Sequence, residues 1–241
     1  DEPFADASAI PTYCVSKITR EHVTVALSGD GGDENFAGYR RYAEAVGLAR
    51  QADHAPLSAL KPLFRTAASC LPDGVRGKGF LELLGQSPLA RYFRLMTFQS
   101  PATLSALLTP EVAAHAVPQP DMETFRRLAA AAGTSDYLST MQYIDVHHYL
   151  PEDILTKVDR TSMLTSLESR VPLLDHVLIE FAATIPERFK FPDGVGKRIL
   201  KRAMAPHLPS EVLGRRKMGF GVPLAAWFRR ELREFAVDVL T

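Results

Sequence analysis

From Ser28 to Glu34 the chain reads Ser-Gly-Asp-Gly-Gly-Asp-Glu, which packs three carboxylates, Asp30, Asp33 and Glu34, into a glycine-rich turn. Acids repel a bare phosphate. They suit a phosphate site when a Mg²⁺ bridges carboxylate and phosphate oxygens. Gly29, Gly31 and Gly32 admit positive φ and close approach of the backbone to a ligand. The helix that follows offers N–H groups to an anion. A purely structural reading stands beside this one: Asp33 as a helix N-cap and Glu34 as a favourable first-turn charge. The spacing is neither the dinucleotide G-x-G-x-x-G nor the G-x-x-x-x-G-K-[ST] loop.

A second group is basic. Lys157, Arg160, Arg170, Lys197, Arg198, Lys201, Arg202, Arg215, Arg216 and Lys217 fall within one stretch of the second half. Arginine gives bidentate hydrogen bonds and lysine a point charge, so a phosphate or pyrophosphate channel is one reading. Solvated helix faces are the other. Lys197/Lys201 and Arg198/Arg202 are like-charge pairs four apart, which calls for an anionic partner or nearby acids. Around Lys217 and Phe220, Gly214, Gly219 and Gly221 suit a loop that closes over a ligand, or a flexible linker. His147-His148 has no cysteine or second histidine at metal-ligand spacing, so zinc is rejected. No G-x-S-x-G elbow is present. Tyr137, Tyr143 and Tyr149 read as helix packing.

The elements that must position these groups follow from periodicity. Ile10, Tyr13, Cys14, Lys17 and Ile18 predict a helix over 9–21. Val23–Leu27 is short, apolar and β-branched, and predicts a buried strand. A helix is expected from Glu34 or Asn35 to about Gln51. Strand, glycine-rich loop and helix make a piece of an open parallel α/β sheet, whose ligands bind beyond the carboxyl ends of the strands. Helical periodicity covers most of the rest, near 56–70, 87–97, 101–108, 121–132, 136–150, 159–168, 175–184, 195–206 and 223–239. A lone parallel strand leaves backbone groups unpaired, so its neighbours are expected upstream.

At 241 residues, 46% hydrophobic and 23% charged, the chain is an ordinary folded protein of one or two domains. Lys+Arg and Asp+Glu each number 28, and a neutral chain is a poor partner for nucleic acid. The first 150 residues carry net −3 and the remainder +3. No run of eighteen apolar residues spans a membrane. Cys14 and Cys70 make no disulfide framework, read as small core residues and point to a cytoplasmic setting. The chain opens on Asp1 in mid-phrase and is expected to be the back part of a longer protein.

Four separated segments resemble the synthetase domain of glutamine-dependent asparagine synthetases. They are Ser28-Gly-Asp-Gly-Gly-Asp-Glu-Asn-Phe-Ala-Gly-Tyr39, Leu155-Thr-Lys-Val-Asp-Arg-Thr-Ser-Met163, Leu167-Glu-Ser-Arg-Val-Pro-Leu-Leu-Asp175 and Lys217-Met-Gly-Phe220. Asp1-Glu-Pro-Phe-Ala-Asp6 fits the family's lead-in to the first of them. The resemblance is weakest over 52–135. Within the family it is most similar to amidotransferases of bacterial surface-polysaccharide and exosortase systems.

The resemblance implies an adenine nucleotide α-hydrolase-like fold of the PP-loop ATPase type, here a mostly helical C-terminal fragment with one or two parallel strands. It implies ATP and Mg²⁺. Aspartate's carboxylate attacks the α-phosphate, giving β-aspartyl-AMP and pyrophosphate, and ammonia from an N-terminal glutaminase domain displaces AMP. The glutaminase domain, with its N-terminal cysteine, and the Ser-Gly-Gly-x-Asp-Ser loop are not in residues 1–241, which alone are expected to be inactive. Asn35 stands where a large apolar residue is usual.

By matching, Asp33 is the metal ligand, and Asp30 stands near the reacting carboxylate at a position that is often Glu. Lys217 stabilises charge at adenylate formation. Ser28, Gly29, Gly31, Lys157, Arg160 and Arg170 hold the nucleotide and pyrophosphate. The implied partners are small molecules, with no nucleic acid and no membrane, and a homodimer is left open. Two other readings remain: the same fold amidating another carboxylate, and a non-catalytic helical partner-binding module.

Overall fold

A computed structural model describes residues 4–54, 56–72, 74–97, 103, 106–115, 120–215 and 219–240. Lys217, with its neighbours Arg216 and Met218 in the expected closing loop, lies outside the described residues, as does half of the helix expected over 101–108. The chain divides into two compact units.

The first unit takes Asp1–Asp30, Tyr149–Asp175 and Ala205–Thr241. It opens with α1 (Ala9–Arg20) and β1 (Val25–Leu27). Its second strand, β2 (Glu168–Arg170), pairs parallel to β1, with Val25 beside Glu168, Ala26 beside Ser169 and Leu27 beside Arg170. This strand escapes periodicity because Glu-Ser-Arg is polar and only three residues long. The helix expected over 159–168 therefore stops at Met163. The expected buried strand is corrected: Leu27 is 73% exposed, because a two-stranded sheet leaves each strand an open edge and little cover on its faces. The apolar stripe of α1 is exposed as well, and Ser16 is its buried residue. Cys14 and Cys70 are both exposed, so neither is the core residue expected.

The second unit takes Gly31–His148 and His176–Met204. Its helices are α2 (Gly32–Asn35), α3 (Arg40–Ala52), α4 (Lys61–Ser69), α5 (Lys78–Gly85), α6 (Pro88–Met96), α7 (Pro110–His115), α8 (Pro120–Ala131) and α9 (Tyr137–Ile144). A π-helix, Asp145–Leu155, follows α9 and passes into the first unit, where α10 (Thr156–Met163) continues it. The second unit then adds α11 (His176–Thr184), α12 (Glu187–Lys190) and α13 (Arg198–Met204). The first unit ends with α14 (Ser210–Gly214), α15 (Leu224–Arg229) and α16 (Arg233–Leu240). Among the described residues no helix is long and apolar enough to cross a membrane.

Tyr42, Tyr92, Phe125, Leu138, Met141, Ile144 and Phe191 form the core of the second unit. Tyr137 and Tyr143 pack at its margin, as their helical spacing predicts. His148 meets the Phe125 ring edge-on at 5.7 Å, and His147 stacks on Tyr143 at 4.0 Å. Asp145 is fully buried and accepts from Arg41 (2.6 Å), from Tyr92 (2.7 Å) and from the Tyr42 hydroxyl. The helix expected from residue 34 or 35 to 51 is broken at Phe36–Tyr39, where Ala37 has φ of +56°.

Candidate functional site

In the first unit the carboxyl ends of the two parallel strands meet. The Ser28 N–H donates to the Arg170 carbonyl at 2.8 Å, which carries the ladder one residue past β1 and brings Ser28 beside the end of β2. The Ser28 hydroxyl donates to the Asp30 carboxylate and fixes it against the turn. Gly29 is exposed, and a Cβ there would meet open space, so close approach rather than strain is what its bare backbone offers. The Arg170 side chain is exposed and donates to Glu168 at 2.7 Å, a pair of little net worth in water.

Lys157 and Arg160 sit one turn apart on α10. Arg160 is exposed, whereas Lys157 is buried and its ammonium donates to Asp6 at 2.7 Å. Burial alone would raise the Asp6 carboxyl. Hydrogen bonds from Lys157 and Ser8 outweigh it and hold the group below its ordinary value. Nearby Asp153 goes the other way, raised by burial and by the charge of Asp6. Asp6 thus bolts the entry of α1 to α10 and neutralises the lysine expected to face pyrophosphate.

In the second unit Gly31, at φ of +81°, is the residue before α2, a conformation that glycine takes without penalty. This corrects two expectations: Gly32 is helical, and Asp33 lies inside the first turn and is not its N-cap. With only four residues, α2 is no extended helix presenting its dipole to an anion.

The Asp33 carboxylate pairs with the Lys197 ammonium at 3.0 Å. Lys197 is not on the helix with Lys201. It precedes α13 at φ of +59°, and its N–H donates to the Phe36 carbonyl at 2.7 Å. The expected like-charge pair of Lys197 with Lys201 on one helix face therefore does not form, and Lys197 is neutralised by Asp33 instead. Two glycines make the approach possible. A Cβ on Gly38 would lie 2.0 Å from the Asp33 carboxylate, and one on Gly196 would lie 1.9 Å from the Ala37 carbonyl.

Glu34 is 1% exposed. Burial raises its carboxyl above the ordinary value, against the Tyr39 hydroxyl that donates to it at 2.5 Å. Asn35 is buried too, although it stands where the family favours an apolar side chain.

These donors fit a metal carried mainly by phosphate. Mg²⁺ is commonly held by one or two carboxylates plus substrate phosphates. Among the described residues no three histidines, cysteines or acids form a cage, and Asp33 offers a partly exposed carboxylate. In the sequence Lys197 stands out only as one of the basic residues and Asp6 only as the end of the lead-in segment, and nothing local marks Gln142 or Lys190. Gly196, immediately before Lys197, was the one local signal for it.

Residues 1–241 match the family described as asparagine synthase over their whole length. Among curated proteins the chain is 37% identical over 244 residues to asparagine synthetase [glutamine-hydrolyzing] 1 of Bacillus subtilis, covering all of this chain and 37% of that protein. It is 38% identical to a putative asparagine synthetase [glutamine-hydrolyzing] of Mycobacterium tuberculosis, covering 98% of this chain and 35% of that one. It is 24% identical to the amidase chyE of Penicillium rubens, over 93% of this chain and 36% of the relative. The chain spans about a third of the length of these relatives. No solved structure matches it. With the match running from end to end, the chain belongs to the asparagine synthase family, whose synthetase domain is of the PP-loop ATPase-like type.

Proposed function

We propose that residues 1–241 are the C-terminal part of an ATP-dependent amide-forming ligase of the asparagine synthase type, with an adenine nucleotide α-hydrolase-like fold. The full protein activates a carboxylate as its adenylate, releases pyrophosphate, and passes the acyl group to ammonia derived from glutamine. Aspartate is the first candidate acceptor, giving asparagine. The observation that carries this reading is the placing of Ser28, Asp30 and Arg170 together at the carboxyl ends of two parallel strands, where α/β sheets bind ligands.

Roles follow from chemistry. Arg160 and Arg170 receive pyrophosphate as exposed cations, and Lys157 joins them by giving up its pair with Asp6. Ser28, Gly29 and Gly31 shape the turn against the nucleotide. Asp30 stands by the reacting carboxylate, and Lys217 neutralises charge as the adenylate forms. Asp33 holds Mg²⁺, which screens the phosphate charge when bound. Such chemistry asks mainly for positioning and charge, and acids beside bases answer it.

One alternative keeps the same chemistry and amidates a different carboxylate. ATP–pyrophosphate exchange by the full-length protein separates the two. Exchange that requires aspartate supports the first reading, and exchange that requires another carboxylate supports the second. Absence of exchange with every carboxylate offered contradicts both.

A further inference from the structure

Helix α2 is a single turn and cannot hold itself, since a helix nucleus costs more than one turn returns. Its last carbonyls also lack partners within the helix. One of them, the carbonyl of Glu34, accepts from the Gln142 side-chain amide of α9. The other end of that amide, Oε1, accepts from the Lys190 ammonium at 3.2 Å. Gln142 and Lys190 are both buried.

A glutamine amide has a donating and an accepting end, and nothing in its shape says which way it points. An ammonium can only donate. Placed at one end, it forces Oε1 toward itself and Nε2 toward the Glu34 carbonyl. The arrangement is costly, because a buried ammonium is disfavoured without a counter-charge. Burial pulls Lys190 down to about 8, only partly opposed by Asp136, and among the described residues no carboxylate pairs with it directly. Glu34, Asn35, Gln142 and Lys190 line one cavity of about 430 Å³, where water can reach the remaining lysine donors.

We propose that Gln142 and Lys190 are positioning residues that act in series to hold the turn carrying Asp33 and Glu34. The inference rests on the role given to Asp33 above. It gives a buried lysine far away in sequence a part in placing the Asp33 carboxylate for the reaction, which it performs without touching metal or nucleotide.

Two amides report the turn directly: Asn35 N–H, which donates to Gly31 at 2.9 Å, and Gly38 N–H, which donates to Asp33 at 2.8 Å. In the full-length protein, Lys190→Met and Gln142→Leu should each speed hydrogen exchange at these amides at least about tenfold, leaving α3 and α6 unchanged. The double variant should exchange no faster than the worse single one. Lys190→Arg should restore protection, and Gln142→Glu should not, since a carboxylate would face a carbonyl. In steady state kcat should fall with the KM for ATP preserved.

Unchanged exchange at Asn35 and Gly38 in both variants overturns the proposal, as does a rise spread evenly over the second unit. If Lys190→Met fails to fold, the contrast between Lys190→Arg and Gln142→Glu decides by the same readout. The exchange data stand apart from catalysis. A wild type without ATP–pyrophosphate exchange overturns the role of Asp33, whereas an active wild type with unmoved amides overturns only the positioning.

Discussion

Lys197 reaches Asp33 from a backbone bent to φ of +59°, and the 3.0 Å pair it makes is possible only because Gly38 and Gly196 carry no side chains. A methyl on Gly196 would strike the Ala37 carbonyl, which is backbone and cannot step aside. Gly196→Ala is therefore expected to destabilise the protein by about 3 kcal/mol or more, the class of effect seen when something must shift in a packed site. Urea denaturation measures it, and a loss under about 0.5 kcal/mol, the size of an ordinary surface change, would show that the approach is looser than described.

Asp145 is a buried acceptor shared by Arg41, Tyr42 and Tyr92. Asp145→Ala removes a counter-charge of the largely buried Arg41 guanidinium and the shared acceptor of two buried tyrosines. A loss of about 3–5 kcal/mol is expected in the same denaturation measurement. The anchored element is the start of the π-helix that runs on into α10, so exchange protection along 145–155 should fall with it.

The Asp6–Lys157 pair makes a prediction with a definite sign. The Asp6 carboxyl sits below its ordinary value of 3.8 in the folded protein, so its contribution is present above that pH and is lost as pH falls through the lower folded value. Asp6→Asn should lower Tm by about 2–4 °C near neutrality and by progressively less as pH falls below the ordinary carboxylate range, where wild type gives up the pair as well. Thermal melts across that range test it.

Glu34 has the opposite sign. Its folded value is raised above 4.5 by burial, so ionisation costs stability as pH climbs through that region. Glu34→Gln keeps an acceptor for Tyr39 and carries no charge. Its Tm relative to wild type should rise between pH 4 and pH 7. A difference that stays flat with pH would mean that the burial penalty is not felt.

The legible parts of this chain were local. Three acids among glycines and the apolar run ending at Leu27 marked a strand and the turn that follows it. Helix periodicity found α1, α6, α8, α11 and α13 to within a few residues. What escaped were effects of distance. Strand β2 is polar and owes its existence to pairing with β1, a contact more than a hundred residues away. The break at Ala37 follows from the packing of Gly196 against it. Val25, Leu27 and Cys14 were expected inside because apolar character was read as burial. Cover for a face is set by neighbours, which no single segment encodes.

The central claim is that Asp33 serves charge stabilisation during adenylate formation. Its test is ATP–pyrophosphate exchange by the full-length protein and its Asp33→Asn variant, with Tm measured in parallel. Asparagine keeps the shape and an acceptor for Lys197 and removes only the charge, and Gly31 rather than Asp33 precedes the helix, so no cap is lost. Loss of one such electrostatic contact costs roughly 3–4 kcal/mol. The account predicts exchange lowered by at least about a hundredfold, with Tm lowered by no more than about 2–4 °C, the contribution of a half-buried ion pair. Exchange at the wild-type rate in a folded Asp33→Asn protein would contradict it and return Asp33 to the scaffold.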